Sequence, residues 1–180
     1  MLNYRLLQQL APLNFRDERN TESLPDYLDR VAPLVPFIPQ NVLAQWIYRH
    51  WRGFESNWSF IDLAQHRFEC EAWPTAQIVT QVGSRHMEAI ARWQELLNHN
   101  SYVRRSWLGD YMLSQGSWPE PIIVLATDEQ SRYPDGRAMP APYCLLEGHH
   151  RLAYLRAMAF EGASLQPLHQ IWLCRPIRNS

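Results

Sequence analysis

The chain has 180 residues, of which 46% are hydrophobic and 19% charged, with a formal net charge of −1. That length suits one ordinary domain with a small appended layer, and the apolar fraction is enough for a core. Charge this sparse and balanced excludes a disordered tail, a polybasic membrane anchor and a histone-like coat on DNA, so any nucleic-acid binding needs a local basic patch.

The cysteines, Cys70, Cys144 and Cys174, are far apart with no Cys-x-x-Cys spacing. Neither a disulfide framework nor a zinc ribbon is expected, and a reducing compartment fits. "MLNYRLLQQLAPLNFRDERN" has no signal-peptide core, and no stretch approaches ~18 uninterrupted apolar residues. A cytoplasmic protein without an integral membrane segment is expected; peripheral association with a membrane complex leaves no mark in a sequence. The eight tryptophans are unusual, and most are expected in the core or at its rim; a stacking platform for bases is the alternative, disfavoured because basic residues are not interleaved with them.

In chain order, "TESLPDYLDRVAP" predicts a short helix opened by a Ser23–Asp26 capping box, with Leu24, Leu28 and Val31 inward and Pro33 as its stop. "NVLAQWIYRHW" predicts a second helix with Asn41 as N-cap and Leu43, Trp46, Ile47 and Trp51 on one face. Residues 1–64 thus read as a helical N-terminal layer. From about residue 65 the texture changes. "RFECEAW" alternates as a half-buried strand does, and Pro74 ends it. "SRHMEAIARWQELLNHN" predicts an amphipathic helix with Ser84 as N-cap and Met87, Ile90, Trp93 and Leu97 inward. "SYVRRSWLGDYMLSQG" predicts one more helix, closed by Gly116. "PIIVLAT" and "PYCLL" read as strands on either side of a polar loop. A helix from about His150 to Phe160, with Leu152, Leu155, Met158 and Ala159 inward, ends at Gly162, and "HQIWLC" is a last strand.

The chemistry concentrates at "LLEGHHRLAYLRAM", where a strand ends in Glu147, Gly148 permits positive φ, and His149, His150 and Arg151 open a helix. The first amides of a helix point along its axis at the positive end of the dipole, which suits an anion, and the histidines and arginine add donors for phosphate oxygens. Glu147 is the nearest carboxylate to hold Mg²⁺ or orient water, and His150 is a candidate acid or base. The alternative is a tight turn in which the arginine pairs with Glu147 and the histidines bond nearby carbonyls. Adjacent residues on a helix diverge by ~100°, so His149 and His150 make a poor chelating pair.

The order of elements from Phe68 to Cys174, with "SWLGDYMLSQGSWPEPIIVL" and "YCLLEGHHRLAYLRAMA", resembles the ParB/sulfiredoxin superfamily; "AWPTAQI" is similar to the segment that opens that domain. The resemblance implies an α+β fold, a small mixed sheet with packed helices over residues 65–180, that holds nucleoside triphosphate phosphates on the Gly-x-x-Arg turn. Sulfiredoxins carry Gly-Cys-His-Arg there. Gly148, His150 and Arg151 match, but His149 stands at the cysteine position, so sulfinic acid reduction is not expected. No DNA-reading helix-turn-helix follows, which disfavours a site-specific partition protein. Stand-alone members include ATPases, nucleases and small plasmid proteins of the fertility-inhibition or oncogenic-suppression type, which inhibit conjugative transfer; this chain is similar to those in size.

The same resemblance places an arginine near the helix after the first strand, here Arg85; an ordinary solvated helix start is the alternative. Arg104 and Arg105 either line a phosphate or DNA path or form a solvated face. Arg132 and Arg137 either reach toward a ligand or keep the polar loop soluble, Trp118 either flanks the nucleotide pocket or, as favoured, packs in the core, and the other histidines, His86 and His169 among them, are expected to be structural or at the surface. The expectation is therefore a nucleotide-binding phosphohydrolase that uses ATP or another nucleoside triphosphate with Mg²⁺, acting as ATPase or DNase. Catalytic roles fall to Glu147, His150 and Arg151, phosphate binding to Gly148, His149, His150, Arg151 and Arg85, and metal binding to Glu147. Alternatives are a non-catalytic nucleotide module docked on a protein partner, such as part of a transfer or secretion complex, and a DNA-binding regulator.

Overall fold

In the computed structural model, which describes residues 4–17 and 19–177, the chain divides into two units, residues 1–68 with 175–180 and residues 69–174. The first unit ends four residues beyond the predicted boundary and takes back the end of the chain, where the Ile177 amide donates to the Gln65 carbonyl (2.8 Å).

The first unit is helical, with α1 (Tyr4–Leu10), α2 (Leu24–Val31), α3 (Gln40–Val42) and α4 (Trp51–Trp58). Ser23 caps α2 as predicted: its Oγ accepts from the Asp26 amide (3.3 Å) and donates to the Asp26 carboxylate (2.6 Å). Pro33 does not stop the chain's winding. It lies in the first turn of a 3₁₀ helix, Ala32–Leu34, where a missing N–H costs no helical bond. Asn41 is not the cap of the next helix either. Pro39 takes that place, its carbonyl accepting from Val42 and Leu43, and Leu43–Tyr48 then widens into a π-helical turn. The wide turn carries Leu43, Gln45, Trp46 and Ile47 all inward, with the Trp46 ring edge-on to Phe54 at 5.0 Å.

The second unit is built on a five-stranded mixed sheet in the order β1 (His66–Pro74), β5 (Leu168–Pro176), β3 (Ile122–Ala126), β4 (Tyr143–Glu147), β2 (Val82–Gly83). Strand β3 runs parallel to β5, Ile122 opposite Ile171, and antiparallel to β4, Leu125 opposite Cys144; β2 is parallel to β4. The fold class is α+β. The short α5 (Thr75–Gln81) and β2 are absent from the sequence reading: Pro74 does end a strand, but its φ of −61° also opens a helix at the next residue.

Helix α6 (Met87–His99) has His86, not Ser84, at its N-cap position, with no capping bond from the imidazole; Ser84 Oγ instead accepts from the His86 amide (3.0 Å). Ile90 and Leu97 are buried as predicted, while Met87, the first residue of the helix, is exposed. The single predicted helix over residues 101–116 is two, α7 (Ser101–Arg104) and α8 (Trp107–Gln115), because Ser106 adopts extended φ/ψ and caps α8 through the Gly109 amide. Gly116 closes α8 in the left-handed region, as expected. The last helix, α9 (His149–Phe160), packs against α5, α6 and α8 and buries Arg151–Leu155, Ala157 and Met158, so it is enclosed rather than amphipathic. No helix of the described residues is long and apolar enough to cross a membrane.

Candidate functional site

Strand β4 hands directly into α9 at Gly148, which has φ 104° and ψ 31° and serves as N-cap. Two constraints demand glycine there. The φ lies where L side chains are strained, and a Cβ would sit 2.6 Å from Cγ2 of Ile122, the first residue of β3. The turn is thus pressed against the sheet, and α9 starts with no linker between it and the strand.

Arg151 is only 8% exposed. Its Nη1 donates to the Glu120 carbonyl (2.8 Å) and the Pro121 carbonyl (3.3 Å), while Nη2 donates to Oε2 of Glu147. The guanidinium therefore turns back toward the sheet and ties the start of β3 to the start of α9. Of the two readings of the sequence, the geometry realises the ion pair between Glu147 and Arg151. Both side chains lock the turn, and neither is aimed outward as a separate ligand.

The two histidines diverge, as neighbours on a helix must. His149 is half-buried with its ring edge-on to His86 at 5.5 Å; His150 is exposed, its ring 4.0 Å from that of Trp93 and stacked over Tyr154 at 6.1 Å and 12°. His86 and Trp93 are therefore members of the site that sequence reading missed. They are seven residues apart, His86 at the N-cap of α6 and Trp93 two turns on, and both meet α9; that spacing was the available signal.

Arg85 lies in the loop before α6 rather than on the helix. It pairs with Asp135 (3.4 Å) and covers the Tyr133 ring at 5.2 Å. Asp135 also binds Arg137 (2.5 Å), and Arg132 donates to the Glu129 and Ser131 carbonyls, so the polar loop's arginines hold the loop itself. Arg104 is not brought to the turn. Its Nη1 donates to the Leu97 carbonyl (3.3 Å), beside Met158 and Glu161 at the far end of α9, about 15 Å along the helix axis from Gly148 at ~1.5 Å per residue. Arg105 is exposed at the end of α7.

Among the described residues, no group of three or more His, Cys, Asp or Glu side chains converges as a metal site. A Mg²⁺ ion at the turn would be held by the ligand's own phosphates and, of the turn's side chains, by Glu147, whose Oε2 Arg151 already engages. This donor set does not by itself make a metal site. Cys144 lies on β4 with its thiol pushed up by burial to about 11, which keeps it protonated and unreactive.

A second polar cluster lies within the same unit. His169 on β5 is buried, with Nε2 2.8 Å from Thr75 Oγ1 and Nδ1 2.8 Å from Ser117 Oγ. Burial holds its pKa below the usual histidine range. Trp118 packs on this ring at 5.1 Å and donates through Nε1 to the Gln170 carbonyl (2.8 Å), a core role.

Compared with protein-family models, curated proteins and solved structures, the chain matches none.

Proposed function

We propose that residues 69–174 form a nucleotide-binding domain of ParB/sulfiredoxin type that hydrolyses a phosphoanhydride or phosphoester bond. The observation that carries this reading is Gly148 at φ 104°, which joins β4 to a 12-residue helix without a linker and with no side chain at the cap. The positive end of a helix of that length favours an anion, and glycine lets the anion approach the backbone closely. ATP or another nucleoside triphosphate is the ligand, with DNA as a second substrate.

Each residue then has a distinct part. The start of α9 at His149 and His150 binds phosphate. His150, exposed and propped between Trp93 and Tyr154, transfers the proton to or from the attacked or leaving oxygen. His86, edge-on to His149, fixes that ring's orientation. Glu147 and Arg151 are positioning residues that hold the turn's shape. Arg85 reaches the ligand only by leaving Asp135.

A non-hydrolysing nucleotide module docked on a protein partner is the second reading, favoured by one observation: the carboxylate nearest the turn is engaged by Arg151. Phosphate release from each nucleoside triphosphate and nicking of plasmid DNA, both with and without Mg²⁺, separate the two. His150→Ala is expected to abolish release while equilibrium dialysis still detects bound nucleotide. Binding without release by the unmodified protein selects the docking module, and no binding of any nucleotide at millimolar concentration sinks both. The likeness to transfer-inhibiting plasmid proteins extends the reading to interference with conjugation, tested by mating frequency from donors that express the chain.

A further inference from the structure

Residues 98–109, "NHNSYVRRSWLG", hold the chain's one adjacent arginine pair and no carboxylate, in a protein whose formal charge is −1. In the fold this stretch is the elbow between α7 and α8. Tyr102 is 83% and Trp107 71% exposed, whereas Trp46, Trp51, Trp58, Trp73 and Trp118 are all buried. The Trp107 indole forgoes the burial that those five achieve and offers a solvated aromatic face on which a flat ligand can stack.

The elbow is rigid. Asn100 Oδ1 accepts from the Tyr102 amide (2.9 Å) and the Val103 amide (3.3 Å), capping α7. Ser106 caps α8 by accepting from the Gly109 amide (3.2 Å) and donates to the Val103 carbonyl (2.6 Å). Gly109 completes the bend, because a Cβ there would strike the Val103 carbonyl. The exposed rings are thus presented by a pre-organised backbone. Trp107 has Tyr111 one helical turn on, with ring centroids 5.9 Å apart, which makes a two-ring platform. Arg104 and Arg105, both exposed, lie in sequence between Tyr102 and Trp107. Of the nearby acids, Asp110 stands in the first turn of α8 and Glu161 is held by Asn98 (3.1 Å).

Two exposed aromatic rings, each within two residues of an exposed adjacent arginine pair, match a chain of stackable bases joined by phosphates. A duplex conceals its base faces. We propose that the α7–α8 elbow binds single-stranded nucleic acid, with bases stacked on Trp107 and Tyr102 and phosphates against Arg104 and Arg105. Arg104 lies beside Met158 and Glu161, away from the Gly148 turn, and the inference does not rest on nucleotide hydrolysis there.

Fluorescence anisotropy of a labelled 20-nucleotide oligothymidine strand and of a duplex of equal length tests it, at 50 and 200 mM salt. The protein should prefer the single strand. Trp107→Ala should weaken single-strand binding about ten-fold or more, the loss of one stacked base. Arg104→Ala with Arg105→Ala should lower the slope of log affinity against log salt by about 1.4, two phosphates at ~0.7 each. Both variants should keep the wild-type circular dichroism spectrum and rate of nucleotide hydrolysis. No single-strand binding at 50 mM salt, or binding that neither variant weakens, overturns the proposal. Trp107-dependent binding by a protein that binds no free nucleotide would leave this inference standing and remove the one at the turn.

Discussion

The carboxylate of Glu147 and the guanidinium of Arg151 face each other across the Gly148 turn, one helical turn apart, with the rest of the guanidinium spent on the Glu120 and Pro121 carbonyls. A charge 8% exposed is stable because both terminal nitrogens of the guanidinium meet acceptors.

Arg151→Ala leaves Glu147 and two carbonyls beside a void, and removing one partner of a buried pair costs about 3 kcal/mol. For a chain of this size that lowers Tm by about 6–12 °C. Urea unfolding of Arg151→Ala, Glu147→Gln and the double variant checks it. The double variant should lose less than the sum of the singles, because the two side chains act on each other. Additive losses would show that the pair is not coupled.

At Gly148, alanine brings both a strained φ and a contact with Ile122. Gly148→Ala should cost about 2 kcal/mol or more. Ile122→Ala in the same chain relieves only the contact, so it should not restore full nucleotide affinity, which depends on backbone approach at the turn. Thermal melts and equilibrium dialysis on the single and double variants read the two effects separately.

His169 makes stability fall with acid. Burial lowers its pKa in the folded state from 6.5, so between 6.5 and the lower folded value the unfolded chain binds more protons. Stability from this group is fully present above pH 6.5 and declines as pH falls below it, by at most about 1.4 kcal/mol per pH unit. Chemical denaturation from pH 7.5 to 5 should show the decline in the wild type. His169→Gln, less stable at neutral pH, should show a shallower one; identical slopes would rule His169 out as the titrating group.

Cysteine chemistry should single out one thiol. Cys70 is exposed, donating to Gln170 Oε1 (3.2 Å), whereas burial pushes Cys144 to about 11 and Cys174 to about 12. Iodoacetamide at pH 8 should add one group to the native protein, at Cys70, and three after denaturation, as intact mass and peptide mapping would show.

Much of the second unit was legible in the sequence because its signals are local. The β-branched run at residues 122–126, the Glu-Gly entry to α9 and the glycine stop of α8 each act through neighbours within one turn or one strand. Ser106 was legible too, as a serine three residues before Gly109, but helical periodicity on both sides of it hid the break. Pro74 and Asn41 misled for a related reason: proline ends one element and begins the next equally well, and a capping side chain is only an option when the backbone before it can do the same work.

The site divides in the same way. Sequence by itself determined that a strand would pass through Gly148 into a helix carrying His149, His150 and Arg151, since a positive-φ residue at the junction and apolar runs on both sides require it. Only the tertiary structure decided what those residues face. Arg151 meets the carbonyls of Glu120 and Pro121 because β3 and β4 pair; His86 and Trp93 meet His149 and His150 because α6 packs on α9; and Thr75, Ser117 and His169 converge from three separate segments. These partners are 30 to 94 residues apart in the chain, a separation across which no periodicity or capping rule acts. Burial then selects among them, because a polar group removed from water must find whichever acceptor or donor the packing supplies.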